Sequence, residues 1–534
     1  MKNQLFCSIA YNVHDSSVSF AIDSRVVLVL EAEKIFKIKK KGFNSKKEME
    51  YLVKYGLSYL KKRVEDIAYW TMTTHQNPHL QKEDVFDLKT GLPKDPYWKK
   101  LSILGKKRNV LIINHHLAHA ATYLMSDFND AIIATCDGGG DYNELYKKGE
   151  CIGVYVGKGN NIKRSDIEID RMINGKFYGA CSYFLYNEVH CEGKMMALAA
   201  FGSPKKKIID KLKKISYELG TVFYQESSDI LKKLFPDIEV GKVLINNKNA
   251  VDFAASVQKF FSDQRVKDVA KILKYIGKES NNLVIAGGAC LNLDVNTEIL
   301  KKFPNMKHFI ASCCDDTGQS LGALCILISE ILKVRASVNL PYLGMGKKQF
   351  KYTHNSVDTA VDILLKDGVI ILHNGQTEIG PRALGNRSLI TRPDKIEVKQ
   401  KLSEKIKQRE SYRPVAPIVL EEKVHEYFIG PDKSPFMLYK YDVIKSVQKN
   451  IKGGVHHDDS ARVQTVNKKT NTFLHELIKR FGDKTGTYVL LNTSLNLKGD
   501  PISNTIKDTL KIYNKIEGTK LLIYNGKIHR IYSC

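Results

Sequence analysis

Two short stretches limit what this chain can fold into more than anything else in it: AIIATCDGGGD at 131–141 and LVIAGGACLN at 283–292. Each is an apolar run of strand length that stops at glycine, where the backbone is free to turn sharply or to lie against another group. Between the runs lie helical patterns such as VDFAASVQKFFSDQRVKDVAKILKYI at 251–276, with apolar residues recurring every three or four positions. Strands alternating with helices, and glycine loops at strand ends, predict an α/β protein that binds its ligands beyond those ends. The first segment, LFCSIAYNVHDSSVSFAID, predicts a hairpin whose turn carries His14, Asp15, Ser16 and Ser17.

A chain of 534 residues is too long for one ordinary core. The pattern breaks at NLPYLGMGKKQFKYTH, where Pro341, Gly344 and Gly346 interrupt it, so a boundary is expected over Leu343 to Tyr352. That gives a first domain at 1–345 and a second at 352–534. The second begins afresh with a helix over SVDTAVDILLKDG and a strand, VIILHNG, and ends with the strand TYVLLNTSLN and a β-rich tail.

No apolar run approaches the roughly 20 residues that span a bilayer, so no membrane partner is expected. The start turns polar too early for a secretory leader, and ten cysteines without CxxC pairs fit reduced thiols; both point to the cytoplasm. The formal charge of +25 favours an anionic partner, nucleic acid included. Lysine spread over solvated faces gives the same total, and KIKKKGFNSKK and SPKKKIIDKLKK read as exposed loops or helix faces. A homo-oligomer is left open.

The stretch IINHHLAHAATYL sets His115 and His119 four residues apart, on one face of a helix. Imidazoles so spaced can bind a divalent ion, but core or surface histidine pairs share the spacing, and no glutamate follows as in the zinc proteases. His116 points to another face. Asp137, at the end of a buried strand, and Asp316, in CCDDTGQSLGAL, lie where an α/β fold collects its ligands, although each could equally cap a helix or form a turn. Together the four offer two nitrogen and two oxygen donors suited to iron, manganese or zinc. The glycines at 138–140 and 287–288 let backbone N–H groups approach phosphate oxygens. With the hairpin at His14 they suggest the split phosphate clasp of actin-like ATPases; no GxxxxGK[ST] motif occurs.

The second domain holds HNGQTEIGPRALGNRSLITRP, with Arg382, Arg387 and Arg392 beside Glu378, then KIKQRESYRPVAP with Lys407, Arg409, Glu410 and Arg413. HHDDSARVQT and NTSLN add His456, Asp458, Arg462, Ser494 and Asn496. Guanidinium groups bind phosphate or carboxylate bidentately, and Lys407 adds a mobile point charge. Proline and small apolar residues between the charges suit a pocket wall better than a solvated face.

In order along the chain, NVHDSS, HHLAHA, CDGGGD, EGKMMALAAFG, AGGACLN, DDTGQSLGA, EIGPRALGNRS, KQRESYRPVAP, HHDDSARVQT and NTSLNLKGDPI resemble the O-carbamoyltransferases of nodulation and antibiotic biosynthesis. The resemblance implies an actin-like ATPase (ASKHA) domain followed by a YrdC-like α/β domain. It implies that the second domain makes carbamoyl-adenylate from carbamoyl phosphate and ATP, and that the first transfers the carbamoyl group to a hydroxyl. By the same resemblance Lys407, Arg413 and Ser494 hold carbamoyl phosphate, while Arg382, Arg409 and Asn496 grip the nucleotide, ATP with its magnesium. Gly138, Gly139, Gly287, Gly288 and Asn292 would bind the adenylate, with Lys194 a further contact. His115, His119, Asp137 and Asp316 would hold iron(II), and His14, with Asp15 beside it, would take the proton from the acceptor hydroxyl. The family usually has Gly-Arg where this chain has Gly375-Gln376, which leaves one cationic contact open.

The acceptor is not read from the motifs. The charge favours a hydroxymethylated nucleotide or nucleic acid; a sugar, antibiotic or glycan hydroxyl is the alternative. A threonylcarbamoyl-tRNA enzyme pairs the same folds, and a nucleotide- or nucleic-acid-binding protein without catalysis is a further rival. GPRALGNRS and DDxGxxLGA favour the carbamoyltransferase branch over the first, and intact ligand positions argue against the second.

Overall fold

A computed structural model describes residues 3–74, 80, 85, 93–94, 96–143, 148–167, 173–241, 245–408, 410, 412–413 and 415–529. The chain has a mixed α/β fold in two compact units: 1–36 with 40–340, and 37–39 with 341–534. Among the described residues no helix is long and apolar enough to cross a membrane.

The first unit contains two larger sheets. One orders its strands Arg25–Glu31, Ser17–Ile22, Leu5–Ala10, Ile67–Thr73, Lys106–Ile113 and Tyr97–Ile103. Its first two chain segments form the expected hairpin, with Ala10 opposite Ser17. The other sheet orders Asn161–Arg164, Ile152–Lys158, Asp130–Cys136, Asn282–Ala286 and Lys307–Phe309. Asp130–Cys136 and Asn282–Ala286 run parallel, with Ala286 beside Thr135, so Asp137 and the Gly287–Gly288 turn emerge at the same sheet end. Gly287 takes φ of +94°, and a Cβ there would stand 2.2 Å from the Cys136 carbonyl oxygen. Only glycine fits that approach.

The helix Gln319–Leu332 is buried along most of its length. A Cβ at Gly322 would lie 2.0 Å from the Ala118 carbonyl oxygen. The missing side chain lets this helix touch the backbone of His115–Ala120, and that contact sets the site described next. Ser320 ties the same helix to the hairpin strand, 2.7 Å from the hydroxyls of both Ser17 and Ser19.

The second unit is built on a seven-stranded sheet ordered Gln464–Val466, Ala416–Leu420, Val489–Ser494, Arg387–Thr391, Val369–His373, Lys520–Tyr524 and Lys527–Ile528. Apolar clusters cover it, one around Leu372, Ile418, Phe473 and Leu490, another around Ile371, Leu389, Leu402 and Leu491. Residues facing alternate sides of one strand feed different clusters, as a sheet covered on both faces requires.

The lysine-rich stretch after the hairpin corrects its reading as a solvated loop. Lys37 and Lys39 are exposed, but Lys41 is buried with Glu48 2.8 Å away, and half-buried Lys40 turns its ammonium inward. A charge run looks the same in sequence whether or not carboxylates wait beneath it. SPKKKIIDKLKK does present its lysines outward, on the helix Lys206–Leu219.

Candidate active site

The strand Lys106–Ile113 ends at Asn114, whose side chain accepts the Leu117 N–H at 3.2 Å and starts the helix His115–Ala120. Two imidazoles one turn apart then face the ends of the neighbouring parallel strands. His115 Nε2 is 3.2 Å and His119 Nε2 3.1 Å from Asp137 Oδ2, and His119 Nε2 is 3.1 Å from Asp316 Oδ1. One ligand atom from each of the four lies within 4.8 Å of every other. The two histidines and Asp316 are buried and Asp137 is nearly so. His116 is held elsewhere, its ring nitrogens 2.7 Å from the Thr135 hydroxyl and 2.7 Å from the Glu150 carbonyl oxygen.

The supports around the cluster aim its donors. Asp137 Oδ1 accepts the N–H groups of Gly138 at 2.7 Å and Gly288 at 3.2 Å, which leaves Oδ2 for the imidazoles. Two of the glycine N–H groups read as phosphate binders are thus directed at Asp137. Gly139 has open space around it. Asn292 caps the helix Leu293–Lys302 and pairs with Gln258 at 3.0 Å. Asp141, fully enclosed with the Thr74 hydroxyl and the Asn114 amide against it, is pushed up to about 7 by burial.

Two buried carboxylates against two imidazoles fix the electrostatics. Burial alone would lower the His119 pKa, but hydrogen bonds to Asp137 and Asp316 and their charges raise it to about 10. Asp137 is held well below the usual carboxylate range, against burial, by the same imidazoles. Negative charge thus draws a cation into the cluster: a proton on His119, or a metal. The donor set, spacing and backbone support fit a divalent ion of the first transition row.

His14 stands beside this centre. Its Nδ1 is 3.1 Å from Asp15 and 3.6 Å from Asp316 Oδ2, and its side chain is 39% exposed. Burial opposes protonation, yet the Asp15 hydrogen bond and the Asp316 charge lift its pKa to about 9. Lys40 holds Asp15 at 2.7 Å and lies 3.9 Å from Asp315, a contact that the sequence reading missed. Glu192, in the EGKMMALAAFG segment, was also passed over: it is half-buried, and burial raises its pKa while the charges of Lys40 and His14 oppose. Lys194 lies apart from the cluster's contacts, 3.1 Å from Glu188 and over the Tyr186 ring.

In the second unit Lys407 is buried and anchored rather than mobile. Its ammonium donates to the Ser494 carbonyl oxygen at 2.7 Å, the Ser494 hydroxyl at 3.2 Å and the Asn496 carbonyl oxygen at 2.6 Å, and meets Asn496 Oδ1. Ser494 ends its strand, and its hydroxyl donates to Asn496 Oδ1 at 2.6 Å. Arg413 is half-buried, 3.6 Å from Glu410. Arg382 is half-buried, and Arg409 lies outside the described residues.

Two other arginines correct the pocket-wall reading. Arg387 is fully buried, its guanidinium donating to the carbonyl oxygens of Asn374 at 2.7 Å, Asn386 at 3.1 Å and Gly375 at 3.2 Å. Arg392 is taken by Asp367 at 2.9 Å and Asp394 at 2.7 Å. Glu378 Oε1 accepts the N–H groups of Leu384, Asn386 and Arg387 at 2.9, 2.7 and 3.1 Å, which folds the GPRALGNRS turn around it. These charges build the loop.

An α/β chain with a buried histidine–aspartate cluster and an anchored lysine pocket has the makings of a group-transfer enzyme. Residues 5–325 match the carbamoyltransferase N-terminus model and 361–530 the carbamoyltransferase C-terminus model, and the chain belongs to this family of enzymes. It is 30% identical to an uncharacterised protein of Methanocaldococcus jannaschii over 81% of this chain and 86% of that one. It is 27% identical to the nodulation protein NolNO of Sinorhizobium fredii over 94% of this chain and 77% of that one. The 3'-hydroxymethylcephem-O-carbamoyltransferase of Amycolatopsis lactamdurans is 30% identical over 61% of this chain and 62% of its own. Among solved structures, a Clostridium difficile activator of 2-hydroxyisocaproyl-CoA dehydratase aligns with 62% of this chain and 96% of its own at 12% identity and TM-score 0.36, too loose a likeness to carry an argument.

Proposed function

We propose that the chain is an ATP-dependent O-carbamoyltransferase with two chemical steps, one in each unit. The second unit, of YrdC-like kind in this reading, converts carbamoyl phosphate, ATP and water into carbamoyl-adenylate, phosphate and pyrophosphate. The first, of actin-like ATPase kind, moves the carbamoyl group to an acceptor hydroxyl and releases AMP. Adenylation gives a poor electrophile a good leaving group.

The observation that carries this reading is the convergence of His115, His119, Asp137 and Asp316, with His14 3.6 Å from Asp316. A divalent ion held by these four, iron(II) in this reading, supplies Lewis acidity toward the carbamoyl oxygen. His14 takes the acceptor's proton at a ring nitrogen, with Asp15, itself held by Lys40, steadying the imidazole. A base must be neutral before it accepts, and since the Asp15 hydrogen bond and the Asp316 charge both favour the protonated ring, a cation held by Asp316 would ease His14 toward its neutral form. Gly139 and Asn292 are the candidates for the adenylate, with Lys194 at the margin, since the Gly287 N–H donates to the Cys314 carbonyl oxygen at 2.7 Å. In the second unit Lys407, Arg413 and Ser494 hold carbamoyl phosphate, and Arg382, Arg409 and Asn496 the nucleotide with its magnesium. The acceptor carries a hydroxyl, and the +25 charge favours an anionic one such as a hydroxymethylated nucleotide or nucleic acid.

The test is the full chain with iron(II), magnesium, ATP and carbamoyl phosphate. Pyrophosphate is expected only when both substrates are present, and an added hydroxylated acceptor is expected to gain the mass of CONH. Absence of pyrophosphate, or a requirement for threonine, sinks the reading. Failure to bind DNA at low salt, where electrostatic attraction is strongest, removes the nucleic-acid acceptor alone.

A further inference from the structure

We infer that Glu192 and Tyr224 form a ribose subsite for the first unit's adenylate, with the Glu192 carboxylate accepting hydrogen bonds from the ribose hydroxyls and the Tyr224 hydroxyl adding a further contact. This rests on the adenylate reading above.

The subsite follows from two glycines one helical turn apart. The helix Gly175–Tyr186 begins against the Asp137–Gly138 turn: the Gly175 N–H donates to the Asp137 carbonyl oxygen at 2.9 Å, and a Cβ at Gly175 would stand 2.8 Å from the Gly138 nitrogen. Gly179 lies on the same helix face. A Cβ there would stand 2.5 Å from the Tyr224 hydroxyl oxygen and 3.3 Å from Glu192 Oε1. Those two residues open separate helices, Glu192–Ala199 and Tyr224–Leu234. The missing side chain at Gly179 lets a carboxylate and a phenol from both of them meet over a third helix.

Both polar ends are left over by the fold. Among the described residues the Tyr224 hydroxyl has no hydrogen-bond partner, and the Glu192 carboxylate has none beyond its own backbone N–H. Each side chain is half-buried, and burial pushes both pKa values up, so the fold gains nothing by keeping an unpaired carboxylate here. A ligand with hydroxyl groups gives it partners. Tyr224 feels the charges of Glu192 and Asp137, and Glu192 those of Lys40 and His14, so the pair borders both the Asp137 turn and the base.

The position selects a ribose. Gly139, open and next to the Gly138 that Gly175 abuts, is the candidate for the adenylate's phosphate. Gly179 lies one helical turn beyond Gly175, about 6 Å away. A nucleotide spans a similar distance from its phosphate to its ribose hydroxyls. A carboxylate accepting a ribose 2'-hydroxyl is also how dinucleotide folds hold that sugar. The negative charge of Glu192 repels phosphate, which leaves the glycine turn for that end of the ligand.

The experiment titrates the full chain with AMP, 2'-deoxy-AMP and 3'-deoxy-AMP by calorimetry. Wild type is expected to bind AMP at least about tenfold more tightly than either deoxy form, since each lacks a hydrogen bond to a charged acceptor. Glu192→Ala is expected to bind all three alike, and Tyr224→Phe, which keeps the ring and its packing, to narrow the gap. AMP held by the second unit is a constant background to these comparisons. Wild-type preference in both variants, an equal loss of all three ligands with the preference kept, or no preference in wild type overturns the subsite and leaves the adenylate reading standing. Failure of AMP to bind wild type at all overturns that reading and the subsite with it.

Discussion

The two units carry opposite electrostatic problems. In the first, Asp137 and Asp316 put two carboxylates against two imidazoles, with all four side chains buried or nearly so. The negative excess is large enough to hold protons on His119 up to about pH 10. In the second, the Lys407 ammonium is buried against the oxygens of Ser494 and Asn496. One arrangement gathers carboxylates and imidazoles, and the other gathers oxygens around a buried ammonium. Both are set by backbone geometry: glycine N–H groups hold Asp137 in place, and strand-end carbonyls hold Lys407. Buried charges are costly to maintain, and in the first unit a cation shared by the four side chains explains keeping them.

The largest predicted effects separate the two sites. Asp137→Asn is expected to lower carbamoyl transfer about 10³-fold while pyrophosphate release persists, because only the first unit loses a charged group in its reactive centre. Lys407→Ala is expected to remove pyrophosphate release by a similar factor, and transfer with it, since nothing then feeds the first unit. Parallel assays of pyrophosphate and carbamoylated acceptor check both. Loss of both activities in Asp137→Asn would break the division of labour.

Ion removal is expected to act on one unit only. A chelator that strips the first unit's ion, followed by return of magnesium, should restore pyrophosphate release but not transfer. If the ion had been present at about a hundred times its dissociation constant, its loss removes about 2.7 kcal/mol of stability. Thermal unfolding should show this in wild type and not in His119→Ala. An equal shift in both would mean that the chelator acts elsewhere.

Parts of this contrast are legible in the sequence because they follow short-range rules. The spacing of His115 and His119 is a helix face, and AIIATC and LVIA are buried strands whose ends must carry Asp137 and glycine. The hairpin that carries His14 in its turn follows from two alternating β-rich runs. Other parts depend on what the fold brings together over long separations. Lys40 reads as one lysine among many until Asp15 and Asp315 lie beneath it. Lys407 reads as mobile, because no local rule predicts that Ser494 and Asn496, some ninety positions on, will anchor it. Charge in a sequence has a sign but no partner; the partner comes from the fold.

The smallest predictions sharpen that last point inside the second unit, with two arginines only five positions apart. Arg387 and Arg392 look alike in GPRALGNRSLITRP, and both were read as pocket groups. Arg387 is fully enclosed, its guanidinium satisfying carbonyl oxygens of Asn374, Gly375 and Asn386 that have no water to turn to. Arg387→Met takes the guanidinium donors from the Asn374 and Gly375 carbonyls, while Asn386 keeps the Asn374 N–H, and is expected to cost about 2 kcal/mol in urea unfolding. Arg392 joins Asp367 and Asp394, each more than a third exposed, so its pairs are screened and water can replace it. Arg392→Met is expected to cost under about 1 kcal/mol and to leave pyrophosphate release near wild type. Lys407 serves as the control, since losing an anion site should weaken carbamoyl phosphate binding far more than it alters unfolding. If Arg392→Met instead raised the KM for carbamoyl phosphate strongly without a change in stability, Arg392 would move from the scaffold to the site, and the basic pocket of the second unit would be wider than Lys407 and its neighbours.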